Sequence, residues 1–507
     1  MIRSINGFPS DRVPTASNCP HPATSSPPSP ILSQATDGRG DNTLADDRCF
    51  TDSVPVSKSF TSTRNACKLC APLGACLAFR GVEGAIPMLH GSQGCATYIR
   101  RYMISHFKEP MDIACSNFAE ATTVFGGRDN FCVGLENVVR QYQPLMVGIA
   151  TTCLAETIGE DIPYYLRELR AAATGPLPEI VHVATPSYAG THAEGFQAAV
   201  RAMIDALVKE TPRDAEPRTE TINLLPGIVS PADIRYLKSI VTDFGFEPTL
   251  LPDYSDTLDG PVWTDYQKIP KGGTPLESIR RMGNARATIE FGSTGDPARM
   301  GGALLNERFG VARHLLPMPI GVGLTDQFFD ALEAITGRPT PQAHQDERGR
   351  LIDAYVDAHK YVFGKRVVVY GEQDLVVSLA SLLAEIGMTP VLCGSGARTG
   401  RLAARIAEIE PDVMAEAQVI EGIDFAEMEE RAAAMKPDLV VGNSKGLALS
   451  RHLGIPLVRV GFPIHDRVDG PRLLHVGYRG AQQLFDRLAN VVIETSQDRS
   501  PVGYSYM

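Results

Sequence analysis

At 507 residues the chain is too long for one hydrophobic core, and about two to four domains are expected. Its 43% hydrophobic and 21% charged content is that of a soluble globular protein, and a formal charge of −11 argues against nucleic acid or an anionic membrane surface as partner. With no long apolar run to span a membrane and no apolar stretch of signal-peptide type near Met1, the ten cysteines are expected as reduced thiols in a cytoplasm.

Residues 1–60 are rich in Ser, Pro, Thr and Asp, with SSPPSP near the centre, and are expected as a disordered tail in which Cys19 and Cys49 are unligated. From Cys70 onward the pattern alternates between helix and strand. PLGACLAFRGVEGAI reads as a short helix ending at glycines, followed by a turn and by HGSQGC leading into the helix ATYIRRYMISHF. ENVVRQYQ is an amphipathic helix before the strand LMVGIA (145–150), and TTCLAETIGEDIPYYLRELRAAA is a loop running into a helix. IVHVAT (180–185) is the next strand, followed by the loop and helix of PSYAGTHAEGFQAAVRAMIDAL.

The same period recurs in TINLLPG, PADIRYLKSIVTDFG and EPTLLPD, then in KRVVVYG (365–371), EQDLVVSLASLLAEIG and TPVLCG, and again in DLVVGN, KGLALSRHLG and PLVRVGF. Short strands alternating with helices of ten or more residues predict βαβ units and parallel sheets. The expected fold class is therefore α/β with several doubly wound domains, divided at 61–215, 216–340 and 341–507 where Pro-, Gly- and charge-rich stretches interrupt the alternation.

The cysteines are uneven: eight lie from Cys49 to Cys153, and only Cys393 lies beyond. Cys95 stands ahead of a predicted helix, where the dipole favours a thiolate, and Cys153 and Ser187 each follow a predicted strand, where α/β proteins gather ligands. Thiols spread over some eighty residues suit an iron–sulfur cluster better than a zinc knuckle, because no second C-x₂-C follows Cys67 and Cys70. Three cysteines are one short of a complete set, which points to a second subunit. Ser187 also fits a helix cap, and Cys67 offers an alternative ligand. No GxGxxG follows a strand and no P-loop occurs, so neither a dinucleotide nor ATP is expected as a ligand of this chain.

The segments CAPLGA, LHGSQGC, HFKEP, TVFGG, TTCLAETIGED, TPSYAGTH, ERGRLIDAYVDAH, VGNSKG, RVGFPIHDR and GYRGA occur in this order between residues 65 and 495. In them the chain resembles the β subunit of nitrogenase component 1 and of nitrogenase-like reductases. The resemblance implies three cysteine ligands, Cys70, Cys95 and Cys153, and an auxiliary Ser187, for an [8Fe-7S] P-cluster shared with an α subunit in an α₂β₂ heterotetramer. It also implies an ATP-dependent Fe protein as electron donor, docking near Glu156–Gly159 with Ile158 on an exposed loop, and a place for Tyr98 beside the cluster. A core tyrosine and an ordinary first helical turn fit those two features as well.

Asp353 and Asp357 lie four apart and share a face if helical, which suits a divalent cation completed by Glu109. By resemblance this is a site bridging two β subunits, with Lys108 giving its carbonyl; a solvated acidic face fits the same residues. Three functions are expected to compete: an electron-transfer β subunit, a cofactor-assembly scaffold, and an interaction protein that keeps only the fold. Scaffold relatives lack the cysteine of TTCLAE, so Cys153 favours electron transfer. The short C-terminal half and Pro/Ser-rich tail depart from molybdenum-type chains, and favour a reductase of methylthio-alkane C–S bonds over dinitrogen reduction.

Overall fold

The computed structural model describes residues 64–173, 175–209 and 220–501. The expected tail, with Cys19 and Cys49, lies outside them, as does the expected boundary near 215. Thirteen strands form three sheets, and every pairing within them is parallel. The chain is thus an α/β protein.

The first sheet holds β1 (Ala85–His90), β2 (Ala114–Cys115), β3 (Met146–Thr151) and β4 (Glu179–Val183), in the order β2-β1-β3-β4. The second holds β5 (Thr221–Leu225), β6 (Glu247–Leu250), β7 (Ala287–Phe291) and β8 (Ala312–Leu316), ordered β6-β5-β7-β8. The third holds β9 (Arg366–Gly371), β10 (Thr389–Ser395), β11 (Gln418–Glu421), β12 (Leu439–Gly442) and β13 (Leu457–Arg459), ordered β11-β10-β9-β12-β13. In each order the chain winds one way and then reverses, leaving a crevice at the carboxyl ends of two neighbouring strands. In the first sheet that crevice falls between β1 and β3.

Seven helices frame the first sheet: α1 (Ala71–Arg80), α2 (Gln93–Phe107), α3 (Glu120–Phe125), α4 (Arg128–Tyr142), α5 (Cys153–Ile158), α6 (Ile162–Ala172) and α7 (His192–Leu207). α1 is buried along its whole length, because its Leu, Ala, Cys and Phe side chains leave no polar face. It lies directly on α7. A Cβ on Gly74 would overlap the carbonyl oxygen of His192, and one on Gly195 would overlap that of Ala71, so the two backbones meet where both residues lack side chains. α7 begins with a capping box, Thr191 with Glu194, which fixes its start.

Two local expectations change. β1 was expected as the end of a helix and a turn, yet it is a central, fully buried strand. Its Pro87 argues against a strand by sequence, but β2 pairs only with Met88 and Leu89, so beside Pro87 one flank of β1 has no strand bond to lose. The stretch after β3, expected as one loop and helix, is two helices broken at Gly159, which adopts φ 79°. Among the described residues no helix is long and apolar enough to cross a membrane.

Candidate functional site

The loops leaving β1, β3 and β4, together with the approach to α1, build one constellation. Cys70 is the N-cap of α1, in extended backbone at ψ 150°, with its thiol beside the first turn. Cys95 sits inside the first turn of α2, not ahead of the helix, and receives the Ser92 hydroxyl at 3.6 Å. Cys153 is the first residue of α5, after the N-cap Thr152. All three cysteines are half-buried.

Hydrogen bonds fasten these loops to one another. Thr152 donates from its backbone N–H (3.1 Å) and its hydroxyl (3.2 Å) to the carbonyl of His90, joining the ends of β1 and β3. Thr185 donates its hydroxyl to the carbonyl of Thr151 at 2.7 Å, joining β4 to β3. Ser187 then links two of the thiol loops: its N–H donates to Cys153 Sγ at 3.2 Å, and its Oγ accepts from Ala71 N, next to Cys70, at 3.2 Å. The helix-cap reading of Ser187 therefore holds for α1, across the chain, and not for the helix that follows it. Leu69, on the other side of Cys70, is pinned to His192 through N–H to Nδ1 (3.4 Å) and carbonyl to N–H (3.1 Å).

Burial pushes the Cys70 thiol up to about 11; the Leu73 N–H pulls it down, and the nearby sulfurs of Cys95 and Cys153 push it up further. The Cys70 sulfur thus feels those of both other loops. A cation among them reverses the balance, because a bound metal stabilises thiolate outright. Among the described residues no group of three His, Cys, Asp or Glu converges to hold a single metal ion.

Cys67, Cys76 and Cys393 are more deeply buried. Cys67 is buried and its thiol is pushed up to about 12 by burial; Cys393 is likewise buried and pushed to about 12. Cys76 lies wholly inside α1. Tyr98 is no core tyrosine: it is 44% exposed and stacks at a tilt on Tyr102, with ring centroids 4.7 Å apart. Ile158 is half-buried within α5 and not on an exposed loop. The exposed apolar residues nearby are instead Val124 and Phe125, at 75% and 87%.

Glu160 is a residue that sequence reasoning missed. Its carboxylate accepts from Gly127 N (2.8 Å) and Tyr165 Oη (3.1 Å), and it pairs with the ring of His90 at 2.9 Å. Burial holds the His90 pKa below the ordinary histidine range, against the pull of Glu160. One carboxylate thus joins the Cys95 loop, the Cys153 segment and the turn after Phe125. No local pattern marks this role, since two of its three partners lie 33 and 70 residues away and only Tyr165 is near in sequence.

Asp353 and Asp357 occupy exposed positions on the helix Gln342–Val362, while Glu109 lies after Lys108, whose backbone is left-handed at φ 64°. Burial, with Asp259 nearby, raises the Glu109 pKa. Within one chain Glu109 and the two aspartates do not form a group able to hold an ion.

Fold and donor set together define an α/β protein that presents thiols from the open face of a switch-point crevice, the layout of a redox subunit. The profile of the family described as "Nitrogenase component 1 type Oxidoreductase" matches residues 70–493. The nitrogenase molybdenum-iron protein beta chain of Clostridium pasteurianum is 35% identical over 435 residues, covering 85% of this chain and 93% of that one. The vanadium-iron protein beta chain of Trichormus variabilis is 35% identical over 451 residues, covering 85% and 94%. A solved structure, "Nitrogenase Cp1 at pH 6.5", superposes with a TM-score of 0.84 at 32% identity, over 89% of this chain and 98% of that chain. The chain belongs to the nitrogenase component 1 type oxidoreductases, as a β-type subunit.

Proposed function

We propose that this chain is the electron-transfer β subunit of a two-component, nitrogenase-like metalloenzyme, holding half of an [8Fe-7S] P-cluster in an α₂β₂ heterotetramer. The observation that carries it is Ser187 bonded at once to the Cys153 sulfur and to the residue after Cys70, in the crevice that also receives Cys95. Cys70, Cys95 and Cys153 would hold the cluster from this side, with Ser187 beside them, and the α subunit would supply the remainder. When bound, the cluster contributes reversible one-electron chemistry. The chain's own part is placement. The ties from Thr152, Thr185 and Ser187 hold the loops in register, the N-termini of α1, α2 and α5 favour charge on sulfur, and the buried sheet excludes water from behind.

Retention of Cys153 favours electron transfer over a cofactor-assembly scaffold. The ATP-dependent Fe protein is the partner proposed for the exposed Val124 and Phe125, in a cytoplasmic setting. For the substrate we favour the C–S bond of methylthio-alkanes, a reading supported by the Pro/Ser-rich tail. Dinitrogen is the second reading, favoured by the names of the curated relatives. Glu109, Asp353 and Asp357 are proposed to hold a divalent cation between two β subunits. The exposure of both aspartates on one helix, free for a second copy, supports it.

Anaerobic purification of the complex, followed by metal analysis and EPR, tests this assignment. Cys153→Ala is expected to lose P-cluster signals and turnover, and Asp353→Asn with Asp357→Asn to lose the divalent ion alone; an iron-free complex, or an unaltered Cys153→Ala spectrum, overturns the assignment. A deletion strain is expected to fail on methylthio compounds as sulfur source; failure only on dinitrogen selects the second reading.

A further inference from the structure

Away from the thiol crevice, all three sheets turn carboxyl ends towards one cavity of about 540 Å³. Thr185 after β4, Thr294 after β7, Glu372 after β9 and Thr399 after β10 all line it. Carboxyl ends of parallel strands are where α/β proteins bind small molecules. Here three separate sheets share one such space.

The wall carries four carboxylates, Glu194, Asp296, Glu372 and Asp374, and four cations, Lys68, Arg299, Arg398 and Arg401, of which Arg299 pairs with Asp296 at 3.7 Å. Its carboxylates are committed to donors of the protein itself: Asp374 accepts from the N–H and hydroxyl of both Ser293 and Thr294 at 2.6–3.1 Å. Glu194 accepts from Thr191 N at 2.8 Å, and Glu372 caps the helix Gln373–Glu385 through Asp374 N and Leu375 N, both at 3.2 Å. Burial, with Asp374 beside it, pushes the Glu372 carboxyl up to about 8, so near neutral pH it adds little negative charge.

Arg398 and Arg401 are not committed in the same way. β10 runs into a glycine-rich loop, GSGARTG (394–400), which lies on the wall. Its backbone donors are used: Gly396 N by the Cys67 carbonyl, and Gly400 N by Glu421. The guanidinium of Arg398 has no hydrogen-bond or ion-pair partner among the described residues. Arg401 spends one donor, on the Gly295 carbonyl at 2.8 Å. Gln373 in the same wall keeps a buried Nε2 without a partner among the described residues. Uncommitted guanidinium forks on a cavity wall match carboxylate or phosphate oxygens.

We propose that this cavity is a binding site for a small oxyanion, a carboxylate or phosphate compound held by Arg398 and Arg401. It borders the proposed cluster site along Cys67, Lys68, Ala71, Thr185, Pro186 and His192, but none of the three thiols proposed for the cluster lines it, and its occupancy does not depend on iron.

Isothermal titration of the purified complex with inorganic phosphate, and separately with succinate, tests it. Saturable binding of at least one is expected, weakened about tenfold or more in Arg398→Ala and partly restored in Arg398→Lys. Which probe binds decides between phosphate and carboxylate. Arg398 packs over Gly422 but makes no hydrogen bond or ion pair among the described residues, so Arg398→Ala is expected to keep the unliganded thermal midpoint, and a lost affinity then reads the site and not unfolding. Failure of both anions to bind below about 10 mM, or equal affinity in Arg398→Ala, overturns the proposal. Neither result bears on the electron-transfer reading, because no readout involves turnover or iron.

Discussion

His106 shows how a single buried side chain sets the chain's response to acid. Its Nδ1 accepts from Ile464 N at 2.8 Å, and its ring meets Phe107 and Phe462 edge-on. Burial, reinforced by the charges of Lys108, His475 and His465, drives its pKa down to about 3. An unfolded histidine titrates near 6.5. Below that pH the unfolded state therefore binds a proton that the folded state refuses, and stability falls as pH drops towards 3. Each pH unit in that window costs about 1.4 kcal/mol for this one group. His106→Gln keeps an acceptor for Ile464 but cannot charge. Urea midpoints at pH 6.5 and 5.5 are expected to fall less for this variant than for the native chain, although it starts lower at pH 7.5 from lost ring packing. Equal slopes would mean that His106 is not the group responsible.

At the scale of elements, the placement of Cys70 depends on the α1–α7 contact. Ala in place of Gly inside a helix ordinarily stabilises by about 1 kcal/mol. At Gly195 the added methyl would overlap the Ala71 backbone, and forced overpacking costs about 1–3 kcal/mol. Rigid backbone cannot move aside as a side chain can, so the loss wins. Gly195→Ala is expected to lower the urea midpoint by that amount and to reduce iron bound per chain, because α1 carries Cys70 on its first turn. A stabilised variant with full iron would show that the helices do not clamp the site. This dependence also marks what the sequence could reveal. Strands such as β3 and β9, helices such as α4 and α7, and the position of Cys153 past a strand end follow from local period and polarity. The strand identity of β1 did not, because its Pro87 is tolerated only through the shortness of β2. Nor did the cross-chain bonds of Ser187 and Glu160, whose partners are brought together by the sheet order alone.

At the scale of the whole molecule, the chain has the form of one half of a device: its thiols are half-buried, and an apolar pair stands out beside them. Val124 and Phe125 end α3 at 75% and 87% exposure, where an unpartnered aromatic gains nothing for the fold. The turn after them is anchored by Gly127 N on Glu160, which also holds His90 before the Cys95 loop. A protein docking on Phe125 would thus press on a buried carboxylate tied to both the β1 loop and the segment after Cys153. Burying a phenylalanine is worth about 1.5–3 kcal/mol, or about ten- to a hundredfold in affinity. Phe125→Ala is therefore expected to raise the reductase concentration needed for half-maximal turnover by about tenfold or more. Iron content and EPR spectra should stay those of the native complex, since Phe125 contacts neither thiol loop directly. Glu160→Gln, by contrast, should leave reductase affinity nearly intact while altering the cluster spectrum, because it weakens the tie and not the surface. If Phe125→Ala leaves the reductase dependence unchanged, the docking face lies elsewhere, and the exposed pair belongs to contact with the α subunit.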